Sequence, residues 1–145
     1  MSGLFSAMDI SASGMAAERL RMETTANNIA NANTTQTENG DPYRKKSVVF
    51  SSAMESAGGK YKFANGLSGV QVTGIKADES EFPVVYNPGH PHADEEGMVR
   101  MSNVKIPNEM VDLITSSRSY EANLRSISLF QEMVEQSLSL LQGLS

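Results

Sequence analysis

The residues best suited to chemistry stand together in His90-Pro91-His92, followed by Asp94, Glu95 and Glu96. Imidazoles and carboxylates at such spacing are ligand types for a divalent metal, or an acid and a base for hydrolysis. The same string also describes a solvated loop between strands, its backbone restricted by Pro88 and Pro91, that bridges to a neighbouring chain. The loop is the reading adopted, and a metal-dependent hydrolase at His90 and His92 is its rival. The chain holds no Gly-rich phosphate loop, Gly-x-Ser-x-Gly elbow or His-Glu-x-x-His string. It also has no Cys, which excludes disulfides, thiolate nucleophiles and thiolate metal sites. The expectation is a protein with no catalytic residues, no resident metal and no cofactor.

The elements that must position any function are bounded by composition. A chain of 145 residues is enough for one unit, and with aromatics at 6% and no Trp it lacks large core-filling side chains. The formal net charge of −5 gives no general attraction to nucleic acid or to an anionic membrane. No apolar run approaches the roughly 20 residues that cross a bilayer. The start, Met1-Ser2-Gly3-Leu4-Phe5, lacks a basic segment and an apolar one, so no cleaved secretory signal is expected.

Stepping alternately by four and three from Ile106 gives Met110, Leu113, Ser117, Tyr120, Leu124, Ile127, Gln131, Val134, Leu138 and Leu141, a sustained heptad. Ile106, Leu113, Tyr120, Ile127, Val134 and Leu141 form an apolar set. The alternate set is interrupted by Ser117 and Gln131, and polar seam residues favour register over strength. Pro107 suits a first helical turn, Asn108 a cap, Glu109 and Asp112 the positive end of the dipole, and Gly143 the stop. The spacing predicts one helix over 107–142, about 54 Å long at 1.5 Å per residue. Arg118, Glu121 and Arg125 stand at spacings that suit surface ion pairs of about 0.2–0.5 kcal/mol each.

The first thirty residues carry a weaker version, with Met8, Met15, Met22 and Ile29 spaced by sevens and Phe5, Ala12 and Ala26 on the same face. Gly14 within that helix costs about 1 kcal/mol relative to Ala unless close packing needs it. The helix is expected to end in Asn27 to Thr35. There Asn28, Asn31 and Asn33 read both as helix caps and as amides that bond across subunits.

Between 36 and 105 the period becomes β-like, with turn signals at Asn39-Gly40-Asp41-Pro42, Gly58-Gly59, Asn65-Gly66 and Asn87-Pro88-Gly89. Candidate strands are 43–50, 70–75, 84–86 and 99–101, while 53–59 and 77–81 read as loops and Arg44-Lys45-Lys46 as a charged exposed strand. The predicted class is α+β, with long N- and C-terminal helices pairing as a coiled coil and a small mainly-β region inserted between them. The corresponding division is 1–35, 36–105 and 106–145. A small, aromatic-poor middle does not cover two long seams, so the helices must pair with each other and with other chains. A head-to-tail interface of that kind makes a ring or a helical tube. The ends of an isolated chain are expected to fray until neighbours complete the seams. The expected interface is Met8, Met15, Met22, Asn28, Ile29, Asn31 and Asn33, together with Met110, Leu113, Tyr120, Glu121, Asn123, Leu124, Ile127, Val134, Leu138 and Leu141.

Specific strings then narrow the field. Ser13-Gly14-Met15-Ala16-Ala17-Glu18-Arg19-Leu20-Arg21-Met22 and Asn28-Ile29-Ala30-Asn31-Ala32-Asn33-Thr34 resemble the N-terminal signature of bacterial flagellar rod and hook proteins. Glu109-Met110-Val111-Asp112-Leu113-Ile114 and Arg118-Ser119-Tyr120-Glu121-Ala122-Asn123 resemble the C-terminal signature of the same axial proteins. The strings 40–50 and 87–97 resemble the proximal rod type. Ser102-Asn103-Val104 departs from its usual Pro-Asn-Val, and 51–68 matches nothing diagnostic. The resemblance implies a non-enzymatic rod subunit whose partners are copies of itself, other rod proteins and the flagellar type III export apparatus. It also implies export without a cleaved signal and assembly in the periplasmic part of the basal body. Another secreted coiled-coil component or effector is the alternative.

Overall fold

A computed structural model describes residues 2–52 and 69–143. The element order is α1 (Ser2–Ala30), β1 (Lys46–Ser52), β2 (Val70–Ala77), β3 (Val84–Tyr86), β4 (Met98–Arg100) and α2 (Ile106–Gln142). The class is α+β, with long helices at both ends and short strands between. β1 and β2 form one two-stranded sheet, and β3 and β4 another. The second sheet is antiparallel, with Val85 opposite Val99. No helix among the described residues is long and apolar enough to cross a membrane.

Two compact units divide the chain. One joins Leu20–Val49 to Gly74–Thr115, and the other joins Met1–Arg19, Phe50–Thr73 and Ser116–Ser145. In the first, the end of α1 lies antiparallel to the start of α2. Arg21 Nη2 reaches Asp112 Oδ1 at 3.3 Å, and seven residues further along α1 Asn28 Nδ2 donates to Glu109 Oε2 at 2.8 Å. The small apolar core of this unit holds Phe82 and Val99. Two guanidinium groups lie over the Phe82 ring, with Arg44 Cζ 4.2 Å and Arg100 Cζ 5.0 Å from its centroid. Such stacking covers an aromatic face with a cation that keeps its water.

In the second unit the helices meet at Gly14, where an added Cβ would lie 3.0 Å from Asn123 Nδ2. Close packing is thus the reason a glycine is tolerated inside α1. The start of β2 docks on the same helix, since the Val70 amide donates to Ser13 Oγ at 3.1 Å.

Several boundaries move from their sequence-based positions, each for a local reason. β1 begins at Lys46 rather than Tyr43, because the preceding backbone is claimed elsewhere. Tyr43 N donates to Thr34 O at 3.1 Å, and Lys45 N donates to Asn103 Oδ1 at 2.7 Å. β2 runs on through Ala77, and β4 covers Met98–Arg100, one residue earlier than expected. α2 starts at Ile106, and Asn108 lies in its first turn instead of capping it. The cap carbonyl is that of Lys105, which accepts from Asn108 N and Glu109 N at 3.0 and 3.1 Å. The expected turn at Gly40 is present, with φ of 84°. The turn signals at 58–59 and 65–66 and the loop over 53–59 lie outside the described residues.

Candidate assembly surface and buried polar cluster

The His-rich segment joins β3 to β4, and its polar groups are occupied in shaping that turn. Asp94 Oδ1 accepts from Glu96 N at 3.0 Å and from Met98 N at 2.7 Å. His90 Nδ1 accepts from His92 N at 3.1 Å, and His92 Nδ1 lies 2.8 Å from Thr35 Oγ1. The imidazole centroids are 5.4 Å apart and edge to face. Among the described residues no three His, Asp or Glu side chains gather where they would hold an ion. The turn closes at Gly97 with φ of 77°, where a Cβ would stand 3.0 Å from both Pro88 and Tyr86. Only glycine meets both demands.

The best-buried polar residues lie elsewhere. Asn28 and Glu109 are each only 1% exposed. The Asn28 amide uses every bond available to it. Its Nδ2 donates to Lys46 O at 2.8 Å and to Glu109 Oε2 at 2.8 Å. Its Oδ1 accepts from Lys46 N at 2.9 Å and from Tyr43 OH at 3.0 Å. The other Glu109 oxygen lies against the Lys45 ammonium. A carboxylate removed from water thus keeps a cation on one oxygen and an amide on the other, as a buried charge requires. Burial, and then the Glu109 charge, push the Tyr43 hydroxyl above its ordinary pKa of 10.0.

Asn103 performs a parallel task for the chain leading into α2. It receives Lys45 N, and its Nδ2 donates to Ser80 Oγ at 2.9 Å and to Asp78 O at 3.3 Å. Of the three asparagines singled out at the end of α1, Asn31 bonds back to Asn27 O at 2.9 Å as a cap does. Asn33 is exposed. Asn28 does not cap; it joins α1 to α2 and to the base of β1.

Tyr43, Lys45, Asn103 and the burial of Glu109 were not visible as a cluster in the sequence. One signal was available. Stepping back by four from Leu113 lands on Glu109, and forward by three on Ser116, both buried. Leu113, Tyr120, Ile127 and Val134 are half-buried, accompanied on the covered face by Glu109, Ser116, Asn123 and Phe130. A search for apolar partners selects Met110, Leu124 and Leu138 instead, and these stand 53, 47 and 53% exposed.

The outward surface of α2 is unusually greasy. Ile106, Met110, Val111, Ile114, Leu124, Leu129, Met133, Leu138, Leu140 and Leu141 are all exposed, whereas Ala17, Ala32, Phe82 and Val99 make up the buried apolar set among the described residues. At 3.6 residues per turn they fall into two rows. Ile106, Met110, Leu124 and Leu138 flank the covered face, and Val111, Ile114, Leu129, Met133 and Leu140 lie away from it, while Leu141 continues the row of Val134 beyond the covered stretch. The hydroxyls nearby make few demands on a partner. Thr115 Oγ1 donates to Val111 O at 2.8 Å, Ser128 Oγ to Leu124 O at 3.2 Å and Ser137 Oγ to Met133 O at 2.8 Å. Self-bonded hydroxyls are covered by a neighbour at small desolvation cost. On α1, Met8, Met15, Met22 and Ile29 are half-buried, and on α2 Glu121 is exposed.

Two long terminal helices with a large exposed apolar surface are the features to set beside known proteins. The family described as flagella basal body rod protein matches residues 8–36, and that described as flagellar basal body rod FlgEFG protein C-terminal matches residues 95–140. Flagellar basal-body rod protein FlgC of Borreliella burgdorferi is 38% identical, covering 97% of this chain and 99% of the relative. The protein of the same name from Aquifex aeolicus is 40% identical over 93% and 95%, and that from Bacillus subtilis 38% over 94% and 97%. The chain belongs to the flagellar basal-body rod protein FlgC family.

Proposed function

We propose that this chain is a structural subunit of the proximal rod, polymerising through the segments 1–35 and 106–145 to form part of the drive shaft and export channel that carry torque to the hook. The observation that carries this reading is the inversion on α2, where ten large apolar side chains face water while the best-buried positions, Glu109 and Ser116, are polar. Burying one half-exposed Leu or Met returns on the order of 1 kcal/mol, so a row of them makes a strong contact only when neighbours are added. Its partners are copies of itself and other rod proteins, with the flagellar type III export apparatus delivering it to the periplasmic part of the basal body. Neither nucleic acid nor direct membrane insertion has a part in this reading.

The rod subunit works by packing and not by catalysis. The residues that first suggested chemistry, His90, His92 and Asp94, are explained by the turn between β3 and β4. The test is replacement of the native gene by one lacking codons for 107–145. No rods are expected, and a swimming strain would refute the reading. Circular dichroism adds a second measurement, because helicity is expected to rise from dilute chain to assembled rod.

A further inference from the structure

The seams of both helices repeat with the same seven-residue step, Met8, Met15, Met22 and Ile29 on α1 and Leu113, Tyr120, Ile127 and Val134 on α2. Sliding one helix by a heptad, about 10 Å, brings one apolar layer onto the next. Such a seam does not choose its own register. The connecting chain between Ala30 and Ile106 is long, and it restrains the alignment where each helix grips it.

Where the end of α1 meets the start of α2, the two helices grip it at adjacent residues. Asn28 of α1 holds Lys46 by N and O, and Glu109 of α2 holds the Lys45 ammonium. The two grips are joined directly by the bond from Asn28 Nδ2 to Glu109 Oε2 at 2.8 Å. Lys45, Lys46 and Tyr43 are the charged or titratable groups bonded to this pair. A slip of one heptad takes Glu109 away from the Asn28 amide and the Lys45 ammonium, and sets Asn28 against Ser102 or Ser116 in place of a carboxylate.

We infer that the Asn28–Glu109 pair is the register determinant where the end of α1 meets the start of α2, a buried, fully bonded polar layer that selects one alignment where the seven-residue apolar repeat would accept several. Every exposed side chain of α2 up to Thr115 is thereby placed at a fixed height along the end of α1. The consequence for the spacing of subunits rests on the rod reading above, but the inference concerns the single chain and is tested there.

The chain has no Cys, so spin labels go on Ala26→Cys and Thr115→Cys, both at exposed positions of one compact unit. Pulsed electron–electron distances are then measured in dilute full-length chain with the native residues, with Glu109→Gln and with Glu109→Leu. One distance is expected for the native pair and for Glu109→Gln, whose side chain still accepts from Asn28. Glu109→Leu, similar in volume and without an acceptor, is expected to add a population in which the helices are offset by about 10 Å. A single native distance in Glu109→Leu overturns the inference. So does a Glu109→Leu chain with no helicity, because the pair would then supply stability and not alignment. A Glu109→Gln chain that slips as Glu109→Leu does overturns it as well. Since no rod is needed, these outcomes leave the rod reading untouched, and failed assembly leaves the distances untouched.

Discussion

The start and the remainder of α2 are opposites. At its first turn a carboxylate sits without water, matched on both oxygens. From Leu124 to Leu141 the same helix shows Leu and Met side chains to water, matched by nothing among the described residues. The ordinary rule of apolar inside and charged outside is inverted at both places. On the rod-subunit reading, the difference teaches that internal order and external adhesion are assigned to separate stretches of one helix. A polar cluster tolerates only one geometry and so suits internal alignment. An apolar surface is non-directional and gains with every neighbour, and so suits assembly.

The contrast is broken most severely by charging the adhesive stretch. Leu124→Asp with Leu138→Asp is expected to reduce rod number per cell at least about 100-fold, because buried unpaired charges cost several kcal/mol at each contact. The urea midpoint of the isolated chain should not move, and a matching loss of stability would show that these leucines serve the fold. Removing the carboxylate at the other end reverses the pattern. Glu109→Ala strands the Lys45 ammonium and one Asn28 donor, and should lower unfolding free energy by about 3 kcal/mol in urea titration.

Gly14→Leu sharpens the comparison within the helix contact. It drives a side chain into Asn123, already 3.0 Å from a Cβ at that site, and should cost about 2 kcal/mol in the same assay. Tyr43→Phe removes one bond to Asn28 and should cost about 1 kcal/mol at neutral pH. It should also alter the alkaline limb. The folded Tyr43 holds its proton above the ordinary value of 10.0, so above about pH 10 the unfolded chain binds fewer protons and stability falls as pH rises. The Phe variant should lose less stability between about pH 9 and 11 than the native chain. The smallest effect is expected of Leu138→Ala in the isolated chain, below about 0.5 kcal/mol by thermal unfolding, because its side chain has little to lose there.

Much of this architecture was legible in residue order. The seven-residue repeats gave both helices to within a few residues, and Asn-Gly and Asn-Pro-Gly strings marked turns at 40 and 87–89, because backbone and periodic signals are local. Glu109 shows where legibility stopped. As a letter it is an acid in a first helical turn, a common surface feature. Nothing near it announces that Asn28, 81 positions earlier, and Lys45 close around it. Likewise Tyr43 reads as the start of a strand until its hydroxyl is seen on the Asn28 amide.

Sequence by itself therefore determined the helical ends, the β-like middle, the lack of thiol chemistry and the excess of apolar surface, all of which follow from composition and period. Tertiary structure alone decided which side of α2 is covered. The heptad offers two adjacent rows, and the size of Met110, Leu124 and Leu138 favours the wrong one for the contact inside the chain. Close approach at Gly14 and the matched charge at Glu109 select the row of small and polar residues. That choice depends on groups far apart in the chain, whose mutual satisfaction no local pattern encodes.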